Sequence, residues 1–476
     1  MVIEHPLVYW KHRFDEDWLL GIDNDCYRSI ATERYQQLQE KTRSNPNLKL
    51  LISEANPADF LGSFIAAASS NCSVFLANPY WVEAEWTQVL ETVKPDLSWG
   101  RDVFKTPIER SQPTSENRNI LQNTIAIPTG GTSGKIRFAL HTLKTLMASV
   151  FGSIEYFQVE TINSCCTLPL YHVSGLMQFL RSLVTGGKLW ILPSNNIDRA
   201  VNQDFPLRDK PWFISLVPTQ LQRILQNPES TQWLSGFQTV LLGGAPAWTE
   251  LLELARKRGI RLAPTYGMTE TASQVATLKP EDFLAGNNSC GRVLPHANIK
   301  IDPESSTSEN LTGQIRIQAS SLSCGYYRET SDNLKSSCQE MITDDLGFFD
   351  DRGYLHIVGR CSDKIITGGE NVFPAEVEAA IRSSGWVADV CVIGVPHPIW
   401  GQAVTAVYVP QSYDATPDRL SVDLEPKLAK LKHPKYWISV ESLPRNDRGK
   451  IDRKRVREIA RSKLQLPPEI STTAKV

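Results

Sequence analysis

The sequence has no CxxC pair, although it holds nine cysteines in 476 residues. An odd number of scattered thiols in a chain this long argues against a disulfide framework. The adjacent Cys165 and Cys166 read as buried thiols. No apolar run reaches the roughly 18 residues of a membrane span, so no stable membrane insertion is expected. Met1 to Pro6 lacks the basic start and apolar stretch of a signal peptide. The expected location is the cytoplasm, or an organelle stroma in a eukaryote. Neither charge sign is in excess: 50 Lys and Arg face 52 Asp and Glu, a net charge of about -2. That balance argues against a dedicated nucleic-acid partner and leaves room for a local cationic pocket. No internal repeat is present, and no feature sets an oligomeric state.

What is present is a glycine stretch, Ile125 to Arg137, with a β-branched lead-in and Thr129, Thr132 and Ser133 interleaved among Gly130, Gly131 and Gly134. Lys135 and Arg137 follow at once. Glycines permit close backbone approach, and N–H groups, hydroxyls and cations together can cradle polyphosphate. The stretch departs from the nucleotide P-loop, which needs Gly where Thr129 stands and Ser or Thr where Ile136 stands. Taken alone, it reads either as an ordinary glycine turn or as a phosphate cradle.

The rest alternates helical and strand-like segments, as in an α/β layer structure. Asn56-Pro57 opens a helix; Ser73 to Ala77, Lys188 to Leu192 and Phe213 to Val217 read as strands. His141-Thr142 reads as the start of a helix through Leu143 and Leu146. Strand-to-loop junctions repeatedly end in glycine and hydroxyl residues, as at Gly243-Gly244-Ala245-Pro246 and Thr265 to Thr271. This pattern suits a ligand crevice at the carboxyl ends of strands. Beyond about residue 313 the pattern turns strand-rich, and Arg445 to Lys463 holds nine Lys or Arg against three Asp or Glu. A boundary near 360 separates a large domain, 1–360, from a smaller one, 361–476.

In order along the chain these stretches resemble the adenylate-forming superfamily of acyl-CoA synthetases, luciferases and peptide-synthetase adenylation domains. The resemblance implies an α/β fold: a large N-terminal domain of layered sheets and helices, with a small mobile α+β C-terminal lid. Thr129 to Arg137 matches the superfamily's phosphate loop, with Gly130, Ser133, Ile136 and Arg137 departing from it. The match implies phosphate contacts from Thr129, Gly130, Gly131, Thr132, Ser133, Gly134 and Arg137. Gly243, Gly244 and Ala245 resemble the segment beside adenine. In Tyr266-Gly267-Met268-Thr269-Glu270 the resemblance places Tyr266 on adenine, Thr269 at the α-phosphate and Glu270 on Mg2+. Asp345 matches the ribose acid, with Asp344 standing where the superfamily has glycine. Arg360 matches a second ribose or phosphate contact, Ser362 the hinge, and Gly368 and Gly369 the loop that faces the thiol. Lys450, in Pro444-Arg445-Asn446-Asp447-Arg448-Gly449-Lys450, matches the catalytic lysine.

The implied chemistry is ATP-dependent activation of a small-molecule carboxylic acid to an acyl-adenylate, followed by transfer to coenzyme A. Pro169 to Leu176 and Ser215 to Leu221 resemble the o-succinylbenzoate-CoA ligases of menaquinone or phylloquinone biosynthesis. An aromatic keto-diacid leaves one carboxylate to be recognised. Arg223 is the expected contact, with a surface arginine as the alternative. His172 is expected to approach the acid or gate its tunnel, with a packed histidine as the alternative. Another aryl-acid or small-acid CoA ligase is the rival function, and a nonenzymatic nucleotide-binding scaffold a remote one.

Overall fold

A computed structural model describes residues 6–101, 123–130, 136–192, 197, 211–303, 312–327, 340–367, 370–446 and 449–466. The architecture is the mixed α/β type expected from the sequence. It divides into two units. One comprises Met1–Gly244, Ala255–Lys300 and Arg316–Met341; the other comprises Ala245–Leu254, Ile301–Ile315 and Ile342–Val476.

Two sheets organise the first unit. In the larger, the strands run in the order Leu19–Leu20, Leu189–Ile191, Asn163–Cys166, Trp212–Leu216, Thr239–Leu242, Leu262–Met268, Ser273–Thr277 and Arg292–Val293. The first six are parallel, and the last two pairings are antiparallel. Three of the six parallel strands are short and buried throughout, as expected where helices cover a sheet. The second sheet orders Leu97–Trp99, Lys49–Ile52, Ser73–Leu76, Thr124–Gly130 and Ile136–Thr142, and only the last pair is antiparallel.

Local chemistry sets the helix starts. Asn56 accepts hydrogen bonds from Ala58 N and Asp59 N, with Pro57 at the first helical position of Pro57–Ala68. The helix expected to start at His141-Thr142 begins there, at Leu143. His141 closes the strand Ile136–Thr142, and Thr142 caps the helix Leu143–Phe157 through Thr145 N. The helix Val173–Thr185 packs through Phe179, which lies 5.6 Å from Trp18 and 6.2 Å from Phe64, ring centre to ring centre. Phe179 is fully buried, so truncation to alanine would cost about 3–5 kcal/mol.

The second unit holds the antiparallel pair Met341–Phe349 and Leu355–Arg360. It also holds a sheet ordered Glu370–Val372, Ile365–Thr367, Gly401–Pro410 and Val387–His397, with Tyr436–Ser439 added beside Gly401–Pro410. Val387–His397 has two apolar faces, as the period of two requires. Val390 and Val392 meet Val377 and Ile381 of the helix Pro374–Arg382. Cys391, Ile393 and Val395 meet Val456 and Ala460 of the helix Arg453–Lys463.

Candidate active site

Tyr266 lies within the strand Leu262–Met268, and several other candidate residues of the first unit follow the carboxyl ends of its parallel strands. His172 lies beyond Cys166, Arg223 beyond Leu216, Gly243 and Gly244 directly after Leu242, and Thr269 and Glu270 directly after Met268. Gly243 is fitted closely against the neighbouring strand: a Cβ there would lie 2.7 Å from Thr265 Oγ1. Gly244 has φ +83°, a conformation that glycine adopts without the Cβ penalty.

Both strands of the Thr124–Gly130/Ile136–Thr142 hairpin touch the Thr269–Thr271 turn. Thr129 pairs with Arg137 across that hairpin. Gly131, Thr132, Ser133 and Gly134 lie outside the described residues. The Arg137 guanidinium stands 4.1 Å from the ring centre of Tyr326. The Tyr326 hydroxyl donates to Glu270 Oε1 at 2.5 Å. A planar guanidinium stacks on an aromatic face as an ammonium cannot, which accounts physically for arginine at 137. Tyr326 is itself seated beside the hairpin, with Tyr327 N donating to Phe138 O and Leu140 N donating to Gly325 O.

The turn that carries Thr269 and Glu270 is fixed from several sides. Its start and end lie in adjacent antiparallel strands, and Gly267 permits a closeness at which a Cβ would meet Ser273 O at 2.1 Å. Ala272 and Ser273 both have positive φ, 51° and 96°. His141 is fully buried; its Nε2 lies 2.8 Å from Thr269 O and its Nδ1 lies 3.0 Å from Thr145 Oγ1. Burial pushes the His141 imidazole down to about 4, against a smaller upward effect of the Thr269 carbonyl. The ring is therefore neutral at pH 7. Glu270 is buried, and Tyr326 is the hydrogen-bond donor to its carboxylate among the described residues. A carboxylate oxygen held on one side suits Mg2+, which commonly binds one or two carboxylates together with phosphates.

A second polar group lies against Ser273–Thr277. Arg181, on the helix whose N-cap is His172, is only 4 % exposed. It donates to Gln274 Oε1 at 3.0 Å and Ser273 Oγ at 3.3 Å, both neutral acceptors. No carboxylate pairs with it among the described residues. Burial lowers its guanidinium to about 10. His296 is held near 4 by burial first and by the Arg181 charge second. Among the described residues, Arg181 Nε, Gln178 Oε1, Gln274 Nε2, Ser149 Oγ and both His296 ring nitrogens are buried without hydrogen-bond partners. Gly152 makes room for this arrangement, since a Cβ there would overlap the His296 ring. By contrast Arg223 is exposed on the helix Pro218–Leu225, and His172 is buried with its ring 4.6 Å from that of Tyr171.

In the second unit, Asp345 faces Arg360 across an antiparallel pair, and Arg360 Nε donates to Asp345 Oδ1 at 3.1 Å. Asp344, at the superfamily's glycine position, ties down the following turn. Ser362 N donates to its Oδ1 at 3.1 Å, and the Ser362 hydroxyl bonds its Oδ2. Ala245 falls in this unit, as does Lys450, which lies just before the helix Arg453–Lys463. Gly368 and Gly369 lie outside the described residues.

The AMP-binding enzyme family model matches residues 52–327, and the AMP-binding enzyme C-terminal domain model matches residues 376–450. This chain belongs to the AMP-binding enzyme family. Among its relatives, a 2-succinylbenzoate--CoA ligase of Geobacillus sp. (strain WCH70) is 32 % identical over 336 residues, 70 % of this chain and 68 % of the relative. A 2-succinylbenzoate--CoA ligase of Enterococcus faecalis is 28 % identical over 474 residues, with 95 % of each chain covered. The solved o-succinylbenzoate CoA synthetase of Bacillus subtilis, in complex with its acyl-adenylate intermediate, superposes with a TM-score of 0.79 at 24 % identity. That superposition covers 95 % of this chain and 97 % of the other, and it shows that the fold is shared.

Four residues of these clusters escaped the sequence reading: His141, Tyr326, Arg181 and His296. One signal for Arg181 was legible. Val173 to Thr185 is otherwise free of charge, and Gln178 and Arg181 stand three apart on a helix buried through its centre. Tyr326 carried no local signal, because its partners lie 56 and 189 residues away.

Proposed function

We propose that this member of the AMP-binding enzyme family is a 2-succinylbenzoate-CoA ligase. It activates the acid with ATP to an acyl-adenylate and pyrophosphate, then transfers the acyl group to coenzyme A. The observation that carries the choice of acid is Arg181: a buried cation with neutral partners, on the helix that starts at His172 and against the strand that follows Glu270. A diacid brings a second carboxylate that such a cation would hold. Arg223, from the helix after Trp212–Leu216, is the other candidate cation for that role.

In the first step a carboxylate oxygen of the acid attacks the α-phosphorus, the bond to the β-phosphate oxygen breaks, and pyrophosphate leaves. Thr129, Gly130, Arg137 and the 131–134 turn would hold the departing phosphates. Gly243, Gly244, Ala245 and Tyr266 would flank adenine, and Asp345 with Arg360 would take the ribose. Glu270 would hold Mg2+, which supplies charge neutralisation at the phosphates when bound. Thr269 would donate to the α-phosphate, and His141, being neutral, holds that residue's carbonyl without adding charge. Lys450 would bring an ammonium to the charge that develops between carboxylate and phosphate. In the second step the thiol attacks the acyl carbonyl and AMP leaves. Gly368 and Gly369 would face that thiol, and His172 would border the acid. No covalent enzyme intermediate is required, and burial raises both the Cys165 and Cys166 thiols, as suits packed residues.

We further propose the division into a core, 1–360, and a mobile lid, 361–476, turning at Ser362. No helix among the described residues is long and apolar enough to cross a membrane, and a cytosolic or stromal setting fits this reading. The product class is one that menaquinone or phylloquinone biosynthesis uses. A substrate panel tests the function: pyrophosphate release with ATP and Mg2+ should be greatest with 2-succinylbenzoate, above benzoate, coumarate and fatty acids. A preference for any of the others would replace the acid with that one.

A further inference from the structure

The loop that carries Lys450 is fastened at both ends to one strand. Its arms pair through Arg445 and Ile451, with Asn446 N donating to Lys450 O at 2.8 Å and Asp452 N donating to Pro444 O at 2.8 Å. The peptide group joining Gly449 to Lys450 is held at both of its polar atoms. Lys450 N donates to Asn446 Oδ1 at 3.0 Å, and Gly449 O accepts from Arg445 Nη1 at 2.6 Å. The other arm of the Arg445 fork pairs with Asp389. Asp389 sits in Val387–His397 beside a bulge between Val387 and Asp389, the kind of irregularity that re-aims a side chain. Arg382 holds the opposite oxygen of Asp389 at 3.1 Å and also donates to Val390 O at 2.8 Å. Beyond Lys450, Asp452 caps the helix Arg453–Lys463, and Arg453 donates to Val392 O at 2.6 Å and Glu378 Oε1 at 2.8 Å.

We infer that Arg445 and Asp389 are positioning residues for the Lys450 ammonium during adenylation. The inference rests on the catalytic reading of Lys450. Arg445 fixes the peptide plane from which the lysine side chain departs, and Asp389, itself fixed by Arg382, holds Arg445. A displacement of about 1 Å at a charged catalytic group can cost on the order of a hundredfold in rate. The pair contributes little to folding, because Arg445 is about one-third exposed and ion pairs open to solvent add little to stability. A lysine at 445 keeps the charge and loses the two-pronged geometry that reaches Asp389 and the Gly449 carbonyl together.

The test uses the full-length protein with ATP, Mg2+ and 2-succinylbenzoate. Adenylation is followed as pyrophosphate release without coenzyme A, and the second step as thioester formation from supplied acyl-adenylate. The variants R445Q, R445K, D389N, D389N/R445Q, K450A and R445Q/K450A are compared. R445Q and D389N should lower the adenylation rate about 10- to 100-fold, with KM values within about threefold and Tm within about 3 °C. The D389N/R445Q variant should fall no further than the worse single variant, and R445K should recover only part of the loss. Thioester formation should stay within about threefold, and R445Q should add less than about twofold in the K450A background. An R445Q enzyme that adenylates at the parental rate overturns the inference, as does a further tenfold loss in the K450A background. A K450A enzyme with parental adenylation instead removes the catalytic reading of Lys450, and the inference with it.

Discussion

Replacing Arg181 with methionine removes the only charge from the helix Val173–Thr185 while keeping an unbranched side chain of similar reach. Two opposite effects follow. In the ligand-free protein, burial has lowered this guanidinium from its ordinary value to about 10. At 1.36 kcal/mol per tenfold, keeping it charged at neutral pH costs the folded state about 3 kcal/mol. The sign is that of a depressed basic group: the cost is present below pH 10 and disappears as pH rises from there towards the ordinary arginine value. Methionine relieves that cost and gives up two hydrogen bonds, to Ser273 and Gln274, worth about 1 kcal/mol each. The ligand-free variant should therefore be as stable as the parent or slightly more so, with Tm unchanged or raised by a few degrees. With the diacid bound, the variant lacks a buried charge-assisted pair of about 2–4 kcal/mol. The kcat/KM for 2-succinylbenzoate should fall about 30- to 1,000-fold, while monoacid analogues that lack the unactivated carboxylate lose less than about threefold. The measurements are thermal unfolding without ligand and kcat/KM for diacid and monoacid side by side. A fall in Tm beyond about 5 °C with equal losses on both substrates would make Arg181 a structural residue. Retained discrimination in R181M, together with its loss in R223M, would move the contact to Arg223.

Three further outcomes are expected. The K450A variant should lose at least about 100-fold in adenylation and less in thioester formation from supplied adenylate, and equal losses would refute the divided role of the small domain. His141 and His296 have folded values near 4 against 6.5, so the stability they contribute is complete above pH 6.5 and is lost as pH falls towards 4. Each should remove about 2 kcal/mol between pH 6.5 and 5, measured by urea midpoints; H141Q should flatten its share, and a level parental profile over that range would contradict the buried neutral rings. Y326F, which deletes the donor to Glu270 Oε1, should raise the Mg2+ concentration giving half-maximal adenylation several-fold and leave the unfolding midpoint within about 1 kcal/mol. An unchanged Mg2+ dependence would separate Glu270 from the metal.

The layered α/β character was legible because short buried strands end in glycine, proline and hydroxyl clusters, as at Leu242-Gly243-Gly244 and Leu216-Val217-Pro218. The ordered motifs located the turn that bears Thr269 and Glu270 and the lysine loop near the start of the last helix, since each is a contiguous run. What the sequence concealed were partners distant along the chain. His141 reads as a helix start because Thr142 does cap one, and only the fold brings Thr269 to its ring. Asp344 stands beside Asp345 where the superfamily has glycine, and only the pairing of two antiparallel strands brings Ser362 to it. The buried polar group around Arg181 joins helix, strand and loop residues up to 115 positions apart, from Arg181 to His296, and no local period reports such a meeting.

The turn bearing Thr269 and Glu270 lies between two strands of one antiparallel ladder, whereas the loops after Cys166 and Leu216 lead into helices. This difference divides the crevice by how freely it can diverge. A residue inserted between Met268 and Ser273 that shifted the register of Ser273–Thr277 would exchange the side chains on its two buried faces. The loops before Val173 and Pro218 can lengthen at the modest entropic cost of a larger loop. New acid specificities in this lineage should therefore arise by changes of length and side chain beside His172 and Arg223, while the segment proposed to meet the phosphates keeps its length.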